Sequence, residues 1–185
     1  MTQTELRALV ESIDPVNVEY ILADYDIQKE YDWVNRKIEL VTPCDDPEER
    51  SKRIAQIAEI RMERLLDLIR KFDSRRLTPA NAKVGDGATV NLYSDRYAGT
   101  IIKVTKSTIT IRRDKATLSP DFKPEWIPGG FAAHCTNQDE QEYTYEPNEK
   151  GETYTLHWSK KYNRYGQPGD LTASKGRHEF YDYNF

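Results

Sequence analysis

The chain has 185 residues, of which 37% are hydrophobic and 31% are charged, with 27 basic residues against 31 acidic ones. No apolar run approaches the roughly 20 residues that cross a bilayer, and the first residues lack the basic start and apolar core of a secretory signal, which predicts a cytoplasmic protein. The formal net charge of -4 excludes the globally basic profile of an ordinary DNA-binding domain. A nucleic-acid role would therefore depend on a local basic patch.

Aromatic content and secondary-structure signals change at the same place in the chain. Residues 1–82 hold five of the 20 aromatic residues, and the other 15 lie between residues 83 and 185. Apolar residues recur at helical spacing before this point, whereas Thr, Ile, Val and Tyr alternate with polar residues after it. The sequence therefore predicts an α+β fold, with a helical bundle or hairpin over 1–78, a connection over 79–83 and a small antiparallel β-barrel over 84–185.

The helical region is predicted to contain four helical stretches before the connection, of which the third is indicated by Tyr31, Val34 and Ile38 at helical spacing. Thr4 is expected to cap a first helix through Ser12, and Asp14-Pro15 to begin a second helix through about Tyr25. A long helix over 47–76 starts with acidic residues and ends with basic ones, as the helix dipole favours. Its apolar stripe predicts packing in a bundle or an antiparallel hairpin and leaves open a homodimer through this helix.

The β region opens with a three-stranded meander. Val84-Gly85-Asp86 leads into a first strand, Gly99 is expected to begin a second, and Ile109 and Ile111 form a third. Residues 84–113 resemble the opening of SH3-like small barrels of the KOW type. The resemblance implies a small barrel in which the glycine permits the bend that closes the sheet.

The remainder of the β region is patterned less regularly. Strands are predicted over 131–135, 142–145, 153–158 and 177–185, and a basic, aromatic-rich exposed loop over 160–175. The stretches 129–138, 157–161 and 176–179 resemble small accessory proteins encoded by phages and prophages of Gram-positive bacteria. This resemblance implies a protein acting inside a bacterial host cell, as a regulator or as an inhibitor of a nucleic-acid-targeting defence such as CRISPR.

Two basic segments, 96–115 and 157–178, predict a nucleic-acid interface. Cations neutralise phosphates, and flat aromatic side chains stack on unpaired bases, so RNA, single-stranded DNA or a nucleoprotein complex are the expected partners. Ordinary solubilising surface charge is the alternative. The candidate binding residues are Arg96, Tyr97, Arg112, Arg113, Lys160, Lys161, Tyr162, Arg164, Tyr165 and Arg177.

The three histidines are the candidates for catalysis. His134, His157 and His178, with Glu179, would suit a metal-independent ribonuclease that moves protons at a 2'-hydroxyl. Isolated surface histidines are the alternative, because their spacing does not require a shared site. Cys44 and Cys135 form no CxxC pair, and no recognised zinc spacing appears, so neither a metal nor another cofactor is expected.

An acidic segment, 139–152, supports a third hypothesis. Its carboxylates would mimic phosphate and bind a basic surface of a nucleic-acid-handling protein, or would form a solvated hairpin. A protein-protein interaction module without nucleic-acid contact therefore remains an alternative to the nucleic-acid-binding barrel and to the ribonuclease.

Overall fold

A computed structural model describes residues 1–41, 46–129, 133–167 and 171–185. The chain divides into two compact units, Met1–Arg75 and Arg76–Phe185. Unit 1 is helical and unit 2 is built from strands, so the predicted α+β fold is confirmed. Cys44 lies outside the described residues.

The described residues of unit 1 form four helices: α1 (Gln3–Ile13), α2 (Val18–Leu22), α3 (Tyr25–Val41) and α4 (Pro47–Arg75). The long helix is confirmed as α4, which packs against α3. All four helices contribute to one apolar core. Its buried members are Leu6, Val10, Val18, Ile21, Ile27, Tyr31, Leu65, Ile69 and Phe72. The dimer through α4 stays a prediction.

The starts of the first helices differ from the expectation. Thr2, not Thr4, caps α1: its hydroxyl accepts from the Glu5 N–H at 3.2 Å, and the Glu5 carboxylate accepts from the Thr2 N–H at 2.7 Å. The expected second helix is shorter, as α2, and the helical spacing of Tyr31, Val34 and Ile38 belongs to α3. Asp24 interrupts the expected helix, because its carboxylate accepts from the N–H groups of Asp26 and Ile27 and so caps α3.

Unit 2 is a closed antiparallel barrel of six strands with an insertion. In chain order the strands are β1 (Gly87–Asn91), β2 (Arg96–Val104), β3 (Thr108–Arg113), β4 (Lys115–Leu118), β5 (Trp126–Ile127), β6 (His134–Cys135), β7 (Tyr143–Glu146), β8 (Thr153–Ser159), β9 (Arg164–Gln167) and β10 (Leu171–Lys175). The barrel order is β1-β2-β3-β8-β9-β10, with β10 pairing back to β1. The predicted small antiparallel barrel is thereby confirmed.

The barrel interior is filled by alternate residues of its strands. The buried core consists of Leu77, Ala82, Ala88, Val90, Ile101, Ile109, Ile111, Leu156, Tyr165 and Ala173. Gly99 lies within β2 and does not begin it; a Cβ there would lie 2.6 Å from the Arg112 carbonyl oxygen. The glycine therefore permits close approach of β3, and the irregular register between Ile101 and Lys103 supplies a local bend.

The insertion, residues 115–152, lies between β3 and β8 and forms two small sheets, β4-β7 and β5-β6. The acidic segment 139–152 thus contributes β7, which pairs with β4, and is not merely a solvated hairpin. Phe131 and Ala132 of the predicted strand 131–135 lie outside the described residues. No helix in the described ranges is long and apolar enough to span a membrane.

Two predictions for the last third were wrong. Residues 160–175 contain β9 and β10, because Tyr165 and Ala173 point into the barrel and two more strands are needed to close it. The tail, residues 177–185, contributes only one isolated bridge, between Phe180 and Arg96. Side-chain contacts hold the rest of the tail, because the backbone groups of Tyr181 and Tyr183 bond to the amide side chains of Gln141 and Gln138 in the insertion.

Candidate nucleic-acid interface

Arg113 of the first basic segment is paired with a buried carboxylate of the same unit. Arg113 lies 2.8 Å from the Glu179 carboxylate, which is only 8% exposed and also accepts from the Ala98 N–H at 2.7 Å. Burial alone would lower the pKa of Arg113, but its hydrogen bond and ion pair with Glu179 raise it above the ordinary value. This guanidinium is therefore committed to the fold.

Tyr97 lies beneath the same guanidinium. The Arg113 Cζ atom is 3.6 Å from the centre of the Tyr97 ring, and the Tyr154 ring packs at 6.4 Å. Burial, together with a hydrogen bond to Glu152, raises the pKa of Tyr154 well above its ordinary value. One face of Tyr97 is therefore occupied by an anchored cation and is closed to a base.

Arg177 and Arg96 form contacts between the barrel and the end of the chain. The Arg177 Nε donates to buried Asp114 at 2.7 Å, and a second guanidinium nitrogen donates to the Thr100 hydroxyl at 2.8 Å. Arg96 contacts the His178 ring nitrogen at 3.1 Å and stacks on Phe180 at 5.1 Å. These cations hold the tail on the barrel.

Arg112 alternates with buried Ile111 on β3 and so lies on the outer face of the barrel, where it is half-buried. Its backbone neighbours are Thr100 on β2 and Thr153 on β8. No salt bridge among the described residues involves Arg112.

The second basic segment surrounds an exposed tyrosine. Tyr162 lies in the turn between β8 and β9 and is 59% exposed, with the Lys161 Nζ 5.0 Å and the Arg164 Cζ 5.6 Å from its ring centre. Asn163, with φ of 50°, makes the turn possible, because asparagine tolerates the left-handed region. Ser159 and Arg164 then pair across the two strands.

The cations around Tyr162 are not neutralised by ion pairs within the described residues, unlike Arg177 of the same segment, which is paired with Asp114. Within the part of the chain that the structure describes, no salt bridge involves Lys160, Lys161 or Arg164. Lys160, Lys161 and Tyr162 are all exposed. Cations and an aromatic ring are thus available to a ligand here.

A groove of about 420 Å³ adjoins this turn. Its floor lies at Gly166, which pairs with His157 on β8 and with Thr172 on β10, so the outer face lacks a side chain between these two residues. A Cβ at Gly166 would lie 3.0 Å from the Leu171 carbonyl oxygen. The groove is lined by His157, Trp158, Ser159, Tyr162, Arg164, Gly166, Gln167, Leu171 and Thr172.

Tyr165 does not belong to this surface, which corrects the sequence-based prediction. It is fully buried in the barrel core, where its ring meets Trp158 edge-on at 5.1 Å. Because residues alternate along β9, Arg164 and Gly166 face outward and Tyr165 faces inward. Tyr165 therefore cannot stack on a base.

The histidines do not assemble into one site. Only His157 lines the groove; His178 contacts Arg96, and His134 lies in β6 of the insertion. Glu179, the fourth proposed catalytic residue, is paired with Arg113. Among the described residues, no group of three or more His, Cys, Asp or Glu side chains is placed to hold a metal ion. The three histidines thus have different surroundings, and the ribonuclease hypothesis stays a prediction.

Six lining residues were not predicted: Trp158, Ser159, Gly166, Gln167, Leu171 and Thr172. Recognising β9 would have revealed the recess that they line, because the outward Gly166 lies between outward neighbours. The signal was the alternation of Arg164, Tyr165 and Gly166, which the nearby glycines and proline obscured.

Comparison with known proteins leaves the chain without an assigned family. No protein-family model matches it, no curated protein is significantly similar to it, and no solved structure matches its fold. The resemblance to phage accessory proteins and the role as an inhibitor of a host defence therefore stay predictions.

Proposed function

We propose that unit 2 binds single-stranded nucleic acid, RNA or DNA, in the groove formed by β8, β9 and β10. In this proposal Tyr162 stacks on an unpaired base, while Lys160, Lys161 and Arg164 contact phosphates. The observation that carries the proposal is the exposed Tyr162 ring between two cations that have no carboxylate partner among the described residues. Nucleic acid in a nucleoprotein complex offers the same chemical groups.

The interaction energies favour replacement of a cation by a base on the Tyr162 ring. An exposed cation–π contact contributes about 0.5–1 kcal/mol, whereas stacking of one base contributes about 1–3 kcal/mol. Lys161 and Arg164 are held by no ion pair in the described residues, so either can leave the ring for a phosphate. At Tyr97 the same exchange would also break the Arg113–Glu179 pair.

The remaining lining side chains suit contacts with bases and sugars. His157, Ser159, Gln167 and Thr172 offer donors and acceptors to base edges or to a ribose 2'-hydroxyl, and Trp158 and Leu171 offer apolar surface. A groove that is mostly apolar with a few polar groups is typical of ligand sites. Duplexes should bind less well, because their bases are already stacked.

Fluorescence anisotropy with labelled single-stranded oligonucleotides tests the proposal. Each cation that contacts a phosphate contributes about -0.7 to the slope of log K against log salt, so three contacts predict a slope of about -2. The variant Lys160→Ala/Lys161→Ala/Arg164→Ala should bind at least about tenfold more weakly and lose most of that slope.

A matched control separates a local site from overall charge. Lys29→Ala/Lys52→Ala/Lys71→Ala removes three exposed cations from unit 1 and changes the net charge equally. It should bind like the wild-type protein. Equal losses in both variants, or no oligonucleotide binding by the wild-type protein at low salt, would contradict the proposal.

A further inference from the structure

The tail, the insertion and the turn between β1 and β2 carry a second surface, which is rich in exposed aromatic residues. Five of the ten large apolar side chains that are exposed in the described ranges belong to it; Tyr93 and Phe185 are the most exposed, at 87% and 86%. Its exposed members are Tyr93, Trp126, Ile127, Tyr181 and Phe185. We call these residues, with Phe122 and Tyr183, the aromatic surface. Apolar exposure of this kind marks interaction sites.

Ring contacts join three of these residues to Tyr183. Its ring centre lies 6.0 Å from Phe122, 6.0 Å from Trp126 and 5.0 Å from Tyr181. The Phe185 ring packs on Tyr93 at 5.5 Å. The rings thus form two clusters, and the tail contributes to both.

Side-chain amides fix the tail in this position. The Asn184 amide accepts from the Cys135 N–H at 2.7 Å and donates to the Cys135 carbonyl oxygen at 3.0 Å. The Gln141 amide likewise donates to the Tyr181 carbonyl oxygen at 2.8 Å and accepts from its N–H at 3.2 Å. The rings are therefore held before any partner binds, which lowers the entropic cost of association.

The charge beside these rings is negative. The insertion has eight acidic residues against three basic ones. A groove of about 410 Å³ includes the carboxylates of Asp121, Glu125, Glu140 and Glu142 in its lining. Phe122 lines the same groove and contacts Tyr183, so the carboxylates border the aromatic rings.

We infer that the aromatic surface and this acidic groove bind an arginine-rich segment of a protein partner. A guanidinium forms ion pairs with carboxylates and stacks on aromatic faces, and both groups meet at Phe122. Phosphates would be repelled here, so this surface is distinct from the proposed nucleic-acid groove, with which it shares no lining residue. A partner that itself handles nucleic acid would fit both surfaces.

Anisotropy titration with a labelled nine-residue peptide of alternating arginine and glycine tests this inference at physiological salt. Glu140→Gln/Glu142→Gln keeps side-chain shape and should weaken binding at least about tenfold, as expected for central charged contacts. Glu146→Gln/Glu149→Gln removes the same charge from the insertion outside the groove lining and should bind like the wild-type protein. Equal losses in the two variants, or no binding by the wild-type protein, would overturn the inference.

The aromatic contribution is tested with Trp126→Ala/Tyr181→Ala. This variant should keep the urea midpoint of the wild-type protein and bind the peptide at least about tenfold more weakly. Unchanged affinity would overturn the inference. If the variant unfolds, the comparison of the two glutamine variants tests the inference instead. Oligonucleotide binding should be unaffected, which separates this site from the groove. A dimer in sedimentation that dissociates in Trp126→Ala/Tyr181→Ala would show that two copies of this chain bury the surface, and would also overturn the inference.

Discussion

Arg113 of the first basic segment and the cations around Tyr162 of the second have opposite fates in the fold. In the first, Arg113 is paired with buried Glu179 and covers one face of Tyr97. In the second, Lys161 and Arg164 flank an exposed Tyr162, and no salt bridge in the described residues neutralises them. A count of cations and aromatic residues therefore does not distinguish a structural anchor from a binding surface. The carboxylate partners make the distinction.

The largest expected effect contrasts two tyrosines three residues apart. Tyr165→Ala removes a buried ring from the barrel core and should lower the free energy of unfolding by about 3–5 kcal/mol. Tyr162→Ala removes an exposed ring and should lower it by less than about 0.5 kcal/mol. Urea denaturation followed by circular dichroism measures both. Similar stability losses in the two variants would contradict the assigned orientations.

A smaller stability effect is expected at the tail anchor. Glu179→Gln leaves the Arg113 guanidinium, which is 36% exposed, without its carboxylate, and should cost about 2 kcal/mol after allowance for solvent screening. The matched variant Glu146→Gln breaks the Lys115–Glu146 pair, whose side chains are 65% and 69% exposed. It should cost less than about 1 kcal/mol. An equal shift of the urea midpoint in both variants would show that the first segment is not anchored.

The stacking contribution of Tyr162 should be detected in binding and not in stability. Tyr162→Leu keeps apolar bulk but removes the flat ring, and should weaken oligonucleotide binding by about 1–3 kcal/mol. Tyr162→Phe keeps the ring and should bind almost as well as the wild-type protein. If phenylalanine is as damaging as leucine, the hydroxyl and not stacking makes the contact.

The last prediction concerns high pH and Tyr143 of the insertion, which interacts with Glu179, the partner of Arg113. Burial, reinforced by Tyr183 and Glu179, raises the pKa of Tyr143 from 10.0 to about 12. The folded state holds this proton more tightly than the unfolded chain, so the contribution is present below pH 10 and is lost between about pH 10 and 12. The urea midpoint should fall over this range, and less steeply in Tyr143→Phe. A flat profile would contradict the burial of this phenol.

The sequence predicted the features that depend on local pattern. The charges at the ends of α4 and the alternation from Val90 to Ile111 specify a helix and a meander without reference to the rest of the chain. The strand β9 was missed, because Gly166 and the residues beyond it are typical of a loop. Its phase, which buries Tyr165 and leaves Tyr162 in the turn, depends on barrel closure.

The fate of the arginines depends on contacts between distant residues. Glu179 lies 66 positions after Arg113, and Asp114 lies 63 positions before Arg177, so no local pattern connects the partners. For the same reason, three histidines in one third of the chain suggested a shared site that the fold does not form.

Photo-crosslinking tests the central claim most directly, namely that the second basic segment contacts nucleic acid and the first does not. A single-stranded oligonucleotide carrying 5-iodouracil would be irradiated with the full-length protein, and the adduct would be mapped by mass spectrometry. The account predicts adducts at Tyr162, with loss of crosslinking in the Lys160→Ala/Lys161→Ala/Arg164→Ala variant. Adducts confined to Tyr97 or to the aromatic rings of the tail would contradict it.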